Sequence, residues 1–236
     1  MRALIAQLRV ELVLTLRRGE SLLITVVVPV VLLVFFGAVA ANPPDFLVPG
    51  LLALAVMSTS MVSLGIATAY ERYYGALKRL LGSPLPRASL IAAKTLSVLA
   101  IELVQMLVLA IMARVMFGWT PRGSLVEALI ALVLGSATFA GLGLLMAGSL
   151  RAELTLAVAN GLYLIFLLLG GFILPLDRLP GPVGAAAHLL PAAALSDATR
   201  AALSDGSAQG VLGPLALLAA WAVVTLGGAA LTFRAE

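Results

Sequence analysis

Long apolar runs broken at regular intervals by short polar or proline-rich segments dominate the chain. The pattern predicts an all-α membrane protein with six spans at 21–41, 46–70, 88–117, 124–150, 154–174 and 211–233. Pro29 falls inside the first run and predicts a kink there. Asn42-Pro43-Pro44-Asp45 ends that run, because two prolines and an asparagine do not continue a helix. The turn from Gly118 to Gly123 separates the third and fourth runs, and Arg151-Ala152-Glu153 makes a tight charged turn before the fifth. Three stretches do not fit the spanning pattern: 1–20, 71–87 and 175–210.

Within 1–20, Leu4, Ile5, Leu8, Leu12 and Leu16 share one helical arc, with Arg2, Arg9, Arg17 and Arg18 outside it. Basic residues spread along the whole stretch are unlike a secretory signal, and an interfacial helix on the cytoplasmic leaflet is expected. Composition agrees with the spans. Apolar residues make up 62% of the 236 and charged residues 11%, against roughly a quarter in soluble domains. Mean hydropathy is +1.13, so most of the surface must face lipid. The whole of 1–236 reads as one transmembrane domain, with no stretch left for a separate soluble domain of ordinary size.

Cysteine is absent, which excludes disulfides and thiolate chemistry, and a lone histidine, His188, argues against a histidine metal cluster; no metal site is expected. The net charge of +4 is dispersed, with no basic stripe interleaved with aromatics, so no nucleic-acid partner is implied. Orientation follows from the 15 lysines and arginines. With the N-terminus inside, Arg2, Arg9, Arg17, Arg18, Arg72, Lys78, Arg79, Arg87, Lys94, Arg151 and Arg234 are cytoplasmic. Only Arg114, Arg122, Arg178 and Arg200 then lie outside. Six spans with that bias put both termini in the cytoplasm.

No GxxxxGK[ST] loop, Ser–His–Asp arrangement or HExxH is present, so the chain reads as no enzyme by itself. Gly141-Leu142-Gly143 sits mid-span and suits close helix packing. In the inner stretch 71–87, Leu77, Leu80 and Leu81 lie on one helical face beside Lys78 and Arg79, and Gly82-Ser83-Pro84 stops the helix. A short amphipathic helix in an inner loop suits a partner's groove. Its alternative is a solvated loop with leucines resting on the membrane.

The order Glu71-Arg72, Gly75, Leu77-Lys78-Arg79-Leu80, then Leu81 and Pro84-Leu85-Pro86-Arg87, resembles the inner loop of ABC-2-type transporter permeases. A second series strengthens the likeness: Gly170-Gly171-Phe172, Pro175-Leu176, Leu179-Pro180, Leu190-Pro191 and Asp197-Ala198-Thr199-Arg200. Tyr73-Tyr74 departs mildly from the family's more polar pattern.

The resemblance implies that Glu71 to Pro84 carry a coupling helix that docks on an ATPase subunit. It also implies that 175–210 forms two short re-entrant outer helices. Physically, Gly184 to Leu190 and Ala192 to Leu203 are too short to span, prolines start helices well, and Asp197 and Arg200 are spaced to pair. The family further implies a dimer of permeases with two ATP-binding subunits, which hold the ATP and magnesium, in a bacterial or archaeal plasma membrane. This chain itself would bind no cofactor. Within the family the likeness is to daunorubicin-resistance-type permeases, exporters of drug-like or lipidic substrates, ahead of polysaccharide and haem exporters. A stand-alone secondary transporter or channel is the rival class, with Glu102 and Asn160 as its only candidate ion ligands.

Polar groups inside spans are few: Glu102 and Gln105 in the third, Asn160 and Tyr163 in the fifth. A carboxylate at mid-membrane costs about 2.5–3.5 kcal/mol on insertion scales, so Glu102 should face protein or water. It either lines a substrate path or is protonated or hydrogen-bonded to a neighbouring helix.

Overall fold

Backbone N–H and C=O groups in a low-dielectric layer need partners within their own segment, and a helix supplies them. The structure, a computed structural model, describes residues 19–39, 43–75, 87–204 and 208–232, and among these every regular element is helical. In order they are α1 (Gly19–Val39), α2 (Pro44–Met57), a π-helical segment (Ser58–Ser63), α3 (Leu64–Tyr73) and α4 (Arg87–Phe117). Then come α5 (Leu125–Ser149), α6 (Ala152–Leu169), a 3-10 turn (Leu176–Arg178), α7 (Gly181–Ala187), α8 (Pro191–Leu203) and α9 (Ala208–Thr232). The expected interfacial helix at 1–20 lies outside the described residues apart from Gly19 and Glu20, which belong to α1.

Among the described residues five helices are long and apolar enough to cross a membrane: Pro44–Tyr73, Ala93–Phe117, Leu125–Ser149, Ala152–Leu169 and Gly210–Thr232. The chain is a multi-pass helical membrane protein. α1, with its apolar part Val27–Ala38, carries Pro29 in its interior. The layering follows burial. In an apolar 18-residue stretch of each, the continuous rod α2–π–α3 has 83% of its residues buried and α5 61%, whereas α6 and α9 each have only 22%. α5 and α2–π–α3 therefore form the centre, and α4, α6 and α9 turn apolar faces such as Leu107, Leu168 and Val223 outward. Against lipid these outward faces carry no penalty.

Local chemistry accounts for most boundaries. Pro44 opens α2 at a position where its missing N–H is no loss. Ser124 caps α5 by accepting from the Glu127 amide. Pro180 and Pro182 start α7, and Pro191 starts α8, as the sequence predicts. The short outer helix expected over 184–190 is α7 at Gly181–Ala187, because Pro180 and Pro182 start it earlier, and two longer helices also differ from expectation. The second rod continues through Tyr73, so Glu71 and Arg72 stand on a helix and not in a loop, because both side chains are tied to neighbouring helices. α6 stops at Leu169, short of 174, because Gly170 caps it and Gly171 turns the chain at φ +66°.

Small residues let the two central helices touch. Gly65 on α3 and Gly143 on α5 approach so closely that a Cβ on Gly65 would sit 3.0 Å from the Gly143 Cα. This is the packing anticipated for the Gly141–Gly143 pair; a Cβ on Gly141 would likewise run into Thr225 of α9. Gly161 on α6 has open space around it. Gly143→Val should therefore lower stability by about 1–3 kcal/mol through overpacking, whereas Gly161→Ala should leave it unchanged or raise it by up to about 1 kcal/mol. Unfolding of the two variants in detergent micelles, followed by circular dichroism, checks the contrast.

Candidate functional site

Four groups of polar residues stand out, at different depths of the bundle. At the end where α4 begins, Lys94 is buried and its Nζ lies 2.5 Å from Glu71 Oε2. One residue on, Arg72 donates from Nη1 to the Gly148 carbonyl at 2.5 Å and from Nη2 to the Leu150 carbonyl. Those carbonyls close the C-terminal end of α5, where a cation is favoured by the helix dipole. The last turn of α3 is thus fastened to α4 through Glu71 and to α5 through Arg72. Gly75 follows at φ +71°, which ends the rod in a left-handed turn. The other residues assigned to coupling, Leu77, Lys78, Arg79, Leu80, Leu81 and Pro84, lie outside the described residues.

At mid-depth the polar cluster is built around the π-helical segment. Ser60 Oγ donates to Glu102 Oε1 and lies 3.0 Å from Ser136 Oγ, so three helices meet at one hydroxyl. Thr59 Oγ1 donates to Gln105 Oε1 at 3.0 Å. All five side chains are buried. Glu102 Oε2 and Thr68 Oγ1 have no hydrogen-bond partner among the described residues. A π segment widens the helix and redirects the serine and threonine side chains between neighbours. Glu102 and Gln105, one turn apart, stand out in the sequence, whereas Ser60, Ser136 and the π segment do not. The run Ser58-Thr59-Ser60 inside an apolar span was the available signal.

Asn160 and Tyr163 are not part of that cluster. They line a groove of about 230 Å³ with Val28, Pro29 and Leu32 of α1 and Leu54, Ser58 and Val62 of the second rod. The Asn160 amide donates to the Leu156 carbonyl one turn back at 2.8 Å. Glu102 does not line this groove.

The fourth group sits at the opposite end from Lys94 and centres on Arg200 of α8. Its Nη2 donates to the carbonyls of Gly171 and of Phe172 (3.2 Å), and Nε to that of Phe46 (3.3 Å). Nη1 reaches Ser196 Oγ at 2.5 Å, and the guanidinium carbon lies 3.9 Å from the centre of the Phe46 ring. Asp197 pairs with Arg200 as its spacing predicts, at 3.7 Å, and also faces His188 Nδ1 at 3.4 Å. Burial pushes the Asp197 carboxyl above its usual range, partly offset by Arg200 and His188. Burial likewise pulls the Arg200 guanidinium down to about 10, still cationic at neutral pH.

The remaining residues of this series fall around Arg200. Gly170 caps α6, Phe172 is fully buried, Pro175 precedes the 3-10 turn, and Leu176 packs beneath Gly171. Pro180 and Pro191 stand at the starts of α7 and α8. A Cβ on Gly50 would collide with the Phe172 carbonyl oxygen, so a bare backbone on α2 is what lets this loop close. Gly50 and Phe46 carried no signal in the sequence; their role appears only when α2 meets α8.

A family model described as "ABC-2 type transporter" matches residues 2–203, up to the last residue of α8. The chain belongs to the ABC-2 type transporter family. It is also similar to the "Probable multidrug ABC transporter permease YbhS" of Escherichia coli strain K12 and of strain O157:H7, at 27% identity over 157 residues. That stretch is 65% of this chain and 41% of the length of those curated relatives, so the chain spans well under two thirds of them.

In this ABC-2 chain the two interactions of Arg200 separate cleanly in energy. Arg200→Met leaves the Gly171 and Phe172 carbonyls without a donor and should cost about 1–3 kcal/mol for each one left buried. Asp197→Asn removes only a partly exposed ion pair and should cost less than about 1 kcal/mol. Thermal unfolding of the two variants side by side checks the ranking.

Proposed function

We propose that this chain is the membrane subunit of an ATP-driven exporter that moves a drug-like, lipidic or other hydrophobic substrate out of the cytoplasm or inner leaflet. In this reading α1 is a further span, giving six. Both termini are cytoplasmic, consistent with eleven of the 15 basic residues on that side. Two permease chains and two ATP-binding subunits make the transporter, in a bacterial or archaeal plasma membrane. ATP and magnesium are handled by the partner, and the permease supplies the path. α7 and α8, about 10 and 20 Å long, fold back into the outer leaflet as re-entrant helices.

The observation that supports this reading most is the fastening of the α3 end. A partner that pushes on the segment after Gly75 moves Glu71 and Arg72 with it. Their contacts to Lys94 and to the Gly148 and Leu150 carbonyls pass the displacement to α4 and α5. Loose side chains would absorb such a push; a buried ion pair and a guanidinium on helix-end carbonyls resist it. The groove beside Asn160 and Tyr163, between α1, the second rod and α6, is the natural route for an apolar substrate.

Co-expression with the ATP-binding subunit tests the assembly: the two should copurify in detergent, and a chain that never does so overturns the proposal. In the assembled complex, Leu80→Asp should abolish substrate-stimulated ATP hydrolysis by blocking docking. Arg72→Ala should leave copurification intact while lowering that stimulation several-fold. Unchanged stimulation in both variants would count against a coupling role for this end of α3.

A further inference from the structure

A second cavity, of about 320 Å³, lies away from the substrate groove and shares no lining residue with it. Its floor is made by the buried Leu52 of α2, Leu132 of α5 and Leu203 of α8, and Trp119 closes one wall. Leu125 and Leu129 form its lip and are 65% and 50% exposed, on the face of α5 that meets the bilayer. Arg114 and Thr120 stand at the rim.

Three observations together say what fits. The chamber is large enough for about ten water-sized volumes, yet its walls offer almost no hydrogen-bonding partners, so water is a poor occupant and an alkyl chain a good one. Among the described residues, Arg114 is exposed and makes a single long contact, to the Gly118 carbonyl at 3.4 Å, and no acidic side chain lines the cavity. Its depth is fixed by α4: Lys94 and Arg114 are about 30 Å apart along the helix, the thickness of the hydrocarbon layer, so Arg114 sits at a headgroup boundary. Trp119 in the following turn is the residue type favoured at that boundary.

We propose that this cavity binds an anionic phospholipid of the surrounding bilayer, with one acyl chain inside it and the phosphate against Arg114. The bilayer is the source because the lip opens among residues that face lipid, and the cation matches a phosphodiester charge. A bound lipid would wedge between α2, α4, α5 and α8, the helices that carry the cavity's buried floor and rim.

The two tryptophans, Trp119 and Trp221, allow a direct test. Trp221→Phe leaves Trp119 as the sole tryptophan, excited selectively over tyrosine, in the full chain reconstituted into phosphatidylcholine vesicles that contain a small fraction of lipid with brominated acyl chains. Brominated phosphatidylglycerol should quench Trp119 at a several-fold lower mole fraction than brominated phosphatidylcholine. Arg114→Gln in the same background should erase that preference while leaving quenching by phosphatidylcholine unchanged. Equal quenching by the two lipids overturns the proposal, and so does a preference that survives Arg114→Gln. Should the Trp221→Phe chain fail to fold, the difference between the unsubstituted chain and its Trp119→Phe form reads the same signal.

Discussion

Carbonyl groups from two stretches of chain more than a hundred residues apart, at Phe46 and at Gly171-Phe172, converge on the guanidinium of Arg200. The Gly171 and Phe172 carbonyls lie at the break after α6, where no helical amide is available to them, and the Phe46 carbonyl lies in the first turn of α2. One planar cation with five donors answers several of them at once, which a lysine's point charge does not. The consequence reaches through the fold. α8 is held across the entrance of α2, the Gly170–Phe172 turn is drawn against Gly50, and α8 is positioned to pack on α5 and α9. Asp197 tunes this arrangement from the edge and does not carry it.

Elsewhere the same rule operates with weaker groups. A bundle in lipid gains little from burying apolar surface between helices, so close packing and hydrogen bonds decide which helices touch. Gly65 and Gly143 bring the two central rods together, and Ser60 then joins Glu102 and Ser136 across three helices. Where charges must be held near the other end, they are paired or placed on carbonyls, as with Lys94 and Arg72. The polar groups therefore divide the bundle by depth: fastened rod ends on one side, a hydroxyl-rich cluster at the middle, and a carbonyl cage on the other. Two cavities lie apart from these groups, one lined by Asn160 and Tyr163 and the other by Trp119 and Arg114.

Much of this was legible along the chain, and unevenly so. The helix starts at Ser124 and Pro191 follow from local backbone chemistry, and so does the i, i+3 spacing that pairs Asp197 with Arg200, whereas the apolar run past Gly170-Gly171 hid the stop at Leu169. Glu102 and Gln105 were visible as rare polar groups in an apolar run. Their partners were not, since Thr59 and Ser60 are common residues that gain meaning only from the π segment that aims them. Lys94 looked like one more basic residue of the inner side; its burial against Glu71 depends on α3 continuing past Tyr70. Asn160 and Glu102 looked alike as intramembrane polar groups, yet one lines a groove and the other is enclosed.

Hydropathy and the positions of proline and glycine by themselves determined that this is a helical membrane protein, where its helices break, and that its α7–α8 region is too short to cross. These are properties of a segment in its solvent, and they need no knowledge of neighbours. The tertiary structure alone decided which polar group faces which: the cage around Arg200, the Ser60 junction, the anchoring of Arg72 on α5, and the separation of the two cavities. Those contacts join residues tens to more than a hundred positions apart. They are selected by how closely whole helices approach, a quantity set by small residues on two surfaces at once and written in neither surface alone.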